Sequence, residues 1–67
     1  MMLEAVWLKN GKEVYKVSPV MNIVCYENMK DIEDIEIEDK ECEWHSYKGA
    51  DDFVIKLVKD KWRYEER

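Results

Sequence analysis

The sequence predicts an all-β domain, a small antiparallel barrel or strongly twisted sheet of six to seven short strands. Three observations point there. Asn10-Gly11 lies between two runs rich in β-branched and aromatic residues and supplies the two positive-φ positions of a type I′ hairpin turn. Residues Ile35 to Trp44 alternate apolar and acidic side chains, first in phase with Ile35 and Ile37, then in the opposite phase with Cys42 and Trp44, as a strand, a tight turn and a returning strand do. Phe53 to Val58 is a further β-branched and aromatic run.

Residues 3 to 17 form the first expected hairpin. A two-residue turn at Asn10-Gly11 pairs Trp7 with Val14 and Val6 with Tyr15. Both faces are then apolar, one with Val6, Leu8, Tyr15 and Val17, the other with Leu3, Ala5, Trp7 and Val14 among Lys9, Lys12 and Lys16. A small monomer buries one such face. The other, around Trp7 and Val14, is expected at the surface as an aromatic contact, most simply with a second copy of the chain in a homodimer. Ser18-Pro19 breaks the ladder because proline has no N–H to donate. Residues 20 to 26 then read as a central strand, with Val20, Val24 and Tyr26 on one side and Met21, Ile23 and Cys25 on the other.

After a loop at residues 27 to 31, the acidic hairpin occupies roughly residues 32 to 47. With its turn at Asp39-Lys40, Glu38 faces Glu41, Ile37 faces Cys42, Glu36 faces Glu43, Ile35 faces Trp44 and Asp34 faces His45. Residues 48 to 52 make a polar turn. The C-terminal stretch fits two forms. A strand pair turning at Lys59-Asp60 gathers Phe53, Ile55, Leu57, Trp62 and Tyr64 on one face, while a helix from about 52 to 64 would place acids at its start and bases at its end, giving an α+β fold instead.

Sixty-seven residues make a single domain, 1–67. A domain this short buries only about 60% of its unfolded surface and is marginally stable. With 46% hydrophobic residues the chain is too apolar to be disordered, despite 40% charged residues. Its net charge of −5 is unevenly spread. Residues 1 to 30 carry four lysines against three glutamates, a net +1; residues 31 to 52 carry ten carboxylates against Lys40 and Lys48, a net −8; residues 53 to 67 return to +2. Concentrated acid argues against direct binding to nucleic acid and for a basic partner. The N-terminal residues lack the basic flank and apolar core of a signal peptide, no apolar run reaches the ~20 residues of a membrane span, and Cys25 and Cys42 both fall on apolar faces. A cytoplasmic protein with buried, reduced thiols is expected.

The acidic hairpin poses a physical question. Opposed side chains on paired strands lie about 5 Å apart, so Glu36 against Glu43 and Glu38 against Glu41 repel by roughly 1 to 3 kcal/mol each before screening. Either a neighbouring strand sets Lys56, with Lys61 and Arg63 behind it, against these carboxylates, or a partner supplies the positive charge. Side chains on one strand face recur every ~6.8 Å, twice the ~3.4 Å spacing of phosphates along a DNA strand. The patch so formed comprises Asp31, Glu33, Asp34, Glu36, Glu38, Asp39, Glu41 and Glu43, with Asp51 and Asp52 nearby. In composition and size the chain resembles small acidic phage-encoded proteins that occupy the DNA-binding surface of a host protein. The resemblance implies a non-catalytic DNA mimic that inhibits or sequesters a basic, nucleic-acid-binding protein. The competing reading is an interaction module that binds through Trp7.

Catalysis is not expected. The chain has Ser18 and Ser46, a single histidine and two glycines that form no phosphate-cradling loop. His45, placed across from Asp34 and near Glu36 and Glu43, reads as a surface histidine. No zinc or EF-hand spacing is present, so neither metal nor cofactor is expected.

Overall fold

The computed structural model describes residues 1–25 and 32–59. Six strands run in order through these residues: β1 (Met2–Lys9), β2 (Lys12–Val17), β3 (Asn22–Val24), β4 (Glu36–Glu38), β5 (Trp44–His45) and β6 (Asp52–Val58), with one 3-10 turn at Ile32–Asp34 ahead of β4. They form two three-stranded antiparallel sheets, ordered β2-β1-β6 and β3-β4-β5. The fold is therefore all-β. The two sheets do not close into a barrel, and residues 52 to 58 are a strand rather than the start of a helix. The returning strand expected at residues 61 to 65 lies outside the described residues. No helix among the described residues is long and apolar enough to cross a membrane.

The first sheet is built on β1, the true central strand. Asn10 and Gly11 take φ values of 54° and 81°, as a type I′ turn requires, and Lys9 pairs with Lys12 and Leu8 with Glu13. Beyond that the register shifts: Trp7 pairs with Tyr15, Val6 with Lys16 and Ala5 with Val17, so Val14 is the extra residue of a β-bulge. The expected Trp7–Val14 and Val6–Tyr15 pairs do not form. One inserted residue exchanges the faces of everything beyond it, which puts Tyr15 and Val17 beside Trp7 and Ala5. On the far side of β1, β6 adds Phe53 opposite Trp7 and Ile55 opposite Ala5.

That face becomes the core. Trp7, expected at the surface, is 0% exposed and is the largest fully buried side chain. It packs edge-on against Phe53 at 5.0 Å between ring centres and tilted against Tyr15 at 5.4 Å, both within the range of favourable aromatic pairs. Its indole N–H is buried with no acceptor among the described residues, which withdraws part of the gain from burying the ring. Ala5, Val17, Ile35 and Ile37 complete the buried cluster, with Val20, Ile32, Tyr47 and Ala50 packed around it. Val14 is exposed while Trp7 is buried and pairs with Tyr15, so the two do not form a shared contact surface.

The opposite face of the first sheet carries its own charge balance. Glu13 on β2 accepts from Lys56 on β6 at 3.2 Å and pairs with Lys16 at 3.6 Å. Since β1 lies between β2 and β6, this chain of charges crosses above Val6, which is fully buried. The aliphatic stems of the lysines add apolar cover there.

The chain passes from one sheet to the other at a corner. Val20 donates its N–H to the Leu3 carbonyl at 2.9 Å, and the next residue, Met21, donates to the Glu38 carbonyl at 2.8 Å. Consecutive residues thus extend different sheets. The strand that follows is an edge rather than a central strand: β3 pairs only with β4 among the described residues, and Asn22 and Ile23 are exposed. Tyr26 lies outside the described residues.

Candidate functional site

The acidic hairpin forms, in a different register. Ile37 pairs with His45 and Glu38 with Trp44. Relative to a two-residue turn at Asp39-Lys40, the returning strand has slipped by three residues, and residues 39 to 43 become a loop. The expected pairs Glu38–Glu41, Ile37–Cys42, Glu36–Glu43, Ile35–Trp44 and Asp34–His45 are all absent. An odd slip exchanges faces, so Trp44 turns outward and His45 turns toward the core.

Asp39 accounts for the new loop. Its Oδ1 accepts the backbone N–H of Glu41 at 2.8 Å and of Glu43 at 3.1 Å, its carbonyl accepts from Cys42 at 3.1 Å, and its own N–H donates to the Glu43 carbonyl at 2.9 Å. A carboxylate that accepts the backbone N–H two residues on forms an Asx turn, a preference readable in the sequence as aspartate at a turn start. Cys42 closes the loop with φ of 67°. Both it and Cys25 are exposed, contrary to the expectation of buried thiols.

The other carboxylate oxygen of Asp39 accepts from His45 Nε2 at 2.7 Å. A carboxylate is acceptor-only, so Nε2 carries a proton in this contact, and in the neutral ring Nδ1 accepts from the Tyr15 hydroxyl 2.8 Å away. Tyr15 also stacks on Tyr47, with ring centres 5.5 Å apart and planes 18° from parallel. His45 is thus a half-buried tie between the sheets rather than a surface histidine. The His45 hydrogen bond, followed by the Glu43 and Glu41 N–H groups, holds the Asp39 carboxyl below its ordinary value of 3.8.

Asp39, Glu43 and His45 present ligand atoms within 4.8 Å of one another, the grouping in the described residues that could hold a metal ion. Two of its members are fully engaged, since Asp39 accepts three hydrogen bonds and both nitrogens of His45 are bonded. The arrangement is complete as a hydrogen-bonded clasp.

The remaining carboxylates divide by location. Glu36 and Glu38 project from the outer face of β4, where Glu38 Oε1 accepts from the Asn22 side chain at 2.7 Å. Glu41 and Glu43 are exposed on the loop, and Asp34 is exposed at the end of the 3-10 turn. Asp31 and the side chain of Glu33 lie outside the described residues. The basic residue expected to neutralise the ladder is elsewhere: Lys56 sits on β6 beside β1 and pairs with Glu13. Lys61 and Arg63 lie outside the described residues. Among the described residues no lysine or arginine comes within ion-pair distance of Glu36, Glu38, Glu41 or Glu43.

In the middle of this acidic surface stands Trp44, 48% exposed and paired laterally with Glu38. Sequence alternation marked it as core, because the register that would bury it also set the like charges in contact. The outer face of the second sheet therefore combines an aromatic side chain with Glu36 and Glu38, and the adjoining loop adds the exposed Glu41 and Glu43. Comparison with family models, with curated proteins and with solved structures finds no match for the chain.

Proposed function

We propose that the protein is a non-catalytic binding protein whose acidic second sheet and 39–43 loop engage a basic protein, of the kind whose own ligand is nucleic acid. One observation carries this reading. Lys56, the described basic residue expected to neutralise the acidic hairpin, is bound to Glu13 on the first sheet, and among the described residues no lysine or arginine pairs with Glu36, Glu41 or Glu43. Unpaired like charges in a domain with a small core raise the free energy of the isolated protein and lower it again when a cationic surface covers them.

The form of the mimicry changes with the register. Two opposed glutamate rows would have imitated two lines of phosphates; the slip leaves one row, Glu36 and Glu38, and a cluster at the loop. Specificity then falls to Trp44, since exposed tryptophans ringed by polar groups are frequent anchors of protein interfaces. The aromatic contact surface belongs to the second sheet, not to Trp7.

The test is capture from a cell extract by wild type, by the quadruple variant Glu36→Gln, Glu38→Gln, Glu41→Gln, Glu43→Gln, and by Trp44→Ala, read by mass spectrometry. The captured protein should be basic, absent from the quadruple variant and reduced with Trp44→Ala. It should be released by salt and by added duplex DNA. Capture that survives both the quadruple variant and competing DNA would sink the proposal.

A further inference from the structure

We infer that the outer edge of β6 is a pairing surface for a second copy of this chain, joining two first sheets into one six-stranded sheet across a two-fold axis near Ile55. The two sheets present four edge strands, and three are protected in ways that discourage pairing. β3 is three residues long and β5 two. β2 carries the bulge at Val14 and the exposed Lys12 and Lys16. β6 is neither short nor bulged, and its mid-strand lysine, Lys56, is paired with Glu13. It runs seven residues in unbroken register with β1, and no described strand pairs with its other side.

Its side chains favour an apolar neighbour. Leu57 is 64% and Ile55 38% exposed, on the face whose other end holds Phe53 against the core, and Leu3, paired with Leu57, extends the exposed patch onto β1. Val54 is exposed on the reverse face. Such a patch on a domain whose buried side chains, among the described residues, are Ala5, Val6, Trp7, Val17, Ile35 and Ile37 is what a second copy would cover.

Charge selects the partner and its direction. Antiparallel pairing of two β6 strands about Ile55 sets Ile55 against Ile55, Phe53 against Leu57 and Val54 against Lys56 of the copy. Asp52 then lies diagonal to Lys56 of the copy, within the reach of cross-strand pairs, and Lys59 lies opposite Asp51. The two Lys56 side chains also approach diagonally, each already paired with its own Glu13. Parallel pairing would instead bring Asp52 to Asp52 and Lys56 to Lys56. The sequence of β6 is thus complementary to itself in one orientation only. An isologous contact of this kind closes at two copies and leaves the bulged β2 as the edge of the joined sheet at both ends.

The experiment is sedimentation velocity of the full chain over a hundredfold range of concentration, with circular dichroism to confirm the fold of each variant. Wild type should sediment as a dimer at the upper end and dissociate on dilution. Leu57→Lys, at the most exposed of the strand's apolar positions, should remain folded and shift the midpoint of dissociation at least tenfold upward. In a Cys25→Ser, Cys42→Ser background, Ile55→Cys should form a disulfide-linked dimer under mild oxidation, whereas Leu57→Cys should not, since Leu57 faces Phe53 of the copy. A monomer at every concentration overturns the inference, whether the edge is then free or taken by the chain's own residues 60–67. A dimer that Leu57→Lys leaves intact, or that cross-links through Leu57→Cys and not Ile55→Cys, overturns it equally.

Discussion

The protein's two hairpins start from similar patterns and end differently. In the first, Asn10-Gly11 fixes the turn because both residues tolerate positive φ, and the pairs next to it follow from the turn alone. In the second, Asp39-Lys40 offers no such pair of residues, and a tight turn there would have set two glutamate pairs face to face. The chain instead folds a loop around the Asp39 carboxylate and slips three residues. The charge outcome differs too: Glu13 of the first hairpin lies between two lysines, whereas Glu36, Glu41 and Glu43 of the second have no lysine or arginine within ion-pair distance among the described residues. A turn that is chemically specified fixes the pairs beside it, here as far as the bulge at Val14, while one that is not yields even those to electrostatics.

The largest test of this difference strikes the side chain the two hairpins share. Trp7 reaches the core because the bulge brings Tyr15 beside it, and Trp7→Ala should cost about 3 to 5 kcal/mol in urea unfolding, a large part of the stability of so small a domain. Trp7→Phe should cost far less, because it also removes the indole N–H that has no acceptor among the described residues. Had Trp7 been at the surface, both variants would unfold like wild type.

Asp39 is the corresponding point of the second hairpin. Asp39→Ala removes the acceptor of two loop N–H groups and of His45 at once. It should lower the thermal midpoint by several degrees, less than Trp7→Ala, and weaken the cross-strand NOE that NMR would read between Ile37 and His45. Asp39→Asn retains a neutral acceptor and should fall in between. If the loop were held by packing alone, the two substitutions would be equivalent to wild type.

Strands were legible because side-chain alternation and β-branched runs report burial directly, and all six described strands fall where those patterns lie. Registers were not. The bulge at Val14 adds one residue with no marker in composition, and it alone moves Trp7 from an expected surface to the core. Of the expected site, Glu36, Glu38, Glu41 and Glu43 do share the second sheet and its loop. The role of Asp39, the outward turn of Trp44 and the Tyr15–His45 tie depend on which residues meet across strands, and alternation is indifferent to a slip that preserves its phase within each strand.

Acid should separate the hairpins further. Asp39 and Glu13 both have folded-state values below their ordinary 3.8 and 4.5, Asp39 through His45 and Glu13 through its hydrogen bond to Lys56. A depressed value contributes stability that is fully present above the unfolded value and is lost as pH falls through the folded one. Stability should therefore hold from neutrality down to about pH 4.5 and fall below it. Asp39→Asn should flatten the lower part of that acid limb and Glu13→Gln the upper part. Chemical denaturation from pH 6 to pH 2.5 resolves the two, and an acid limb unchanged in both variants would remove these contacts from the account.

The smallest effect returns to turn chemistry. Asn10 holds a φ of 54° and Cys42 one of 67°, yet asparagine enters the left-handed region readily and cysteine does not. Cys42 is exposed, so replacing it disturbs no core. Cys42→Asn should stabilise the protein by about 0.5 to 1 kcal/mol by relieving that backbone strain. Cys42→Gly should gain less, because glycine relieves the same strain but frees the unfolded chain. The order Asn above Gly above Cys in urea midpoints would show that the second hairpin carries the local strain that Asn10-Gly11 avoids in the first. An unchanged midpoint would mean that the loop relaxes at no cost and that its register is set by Asp39 alone.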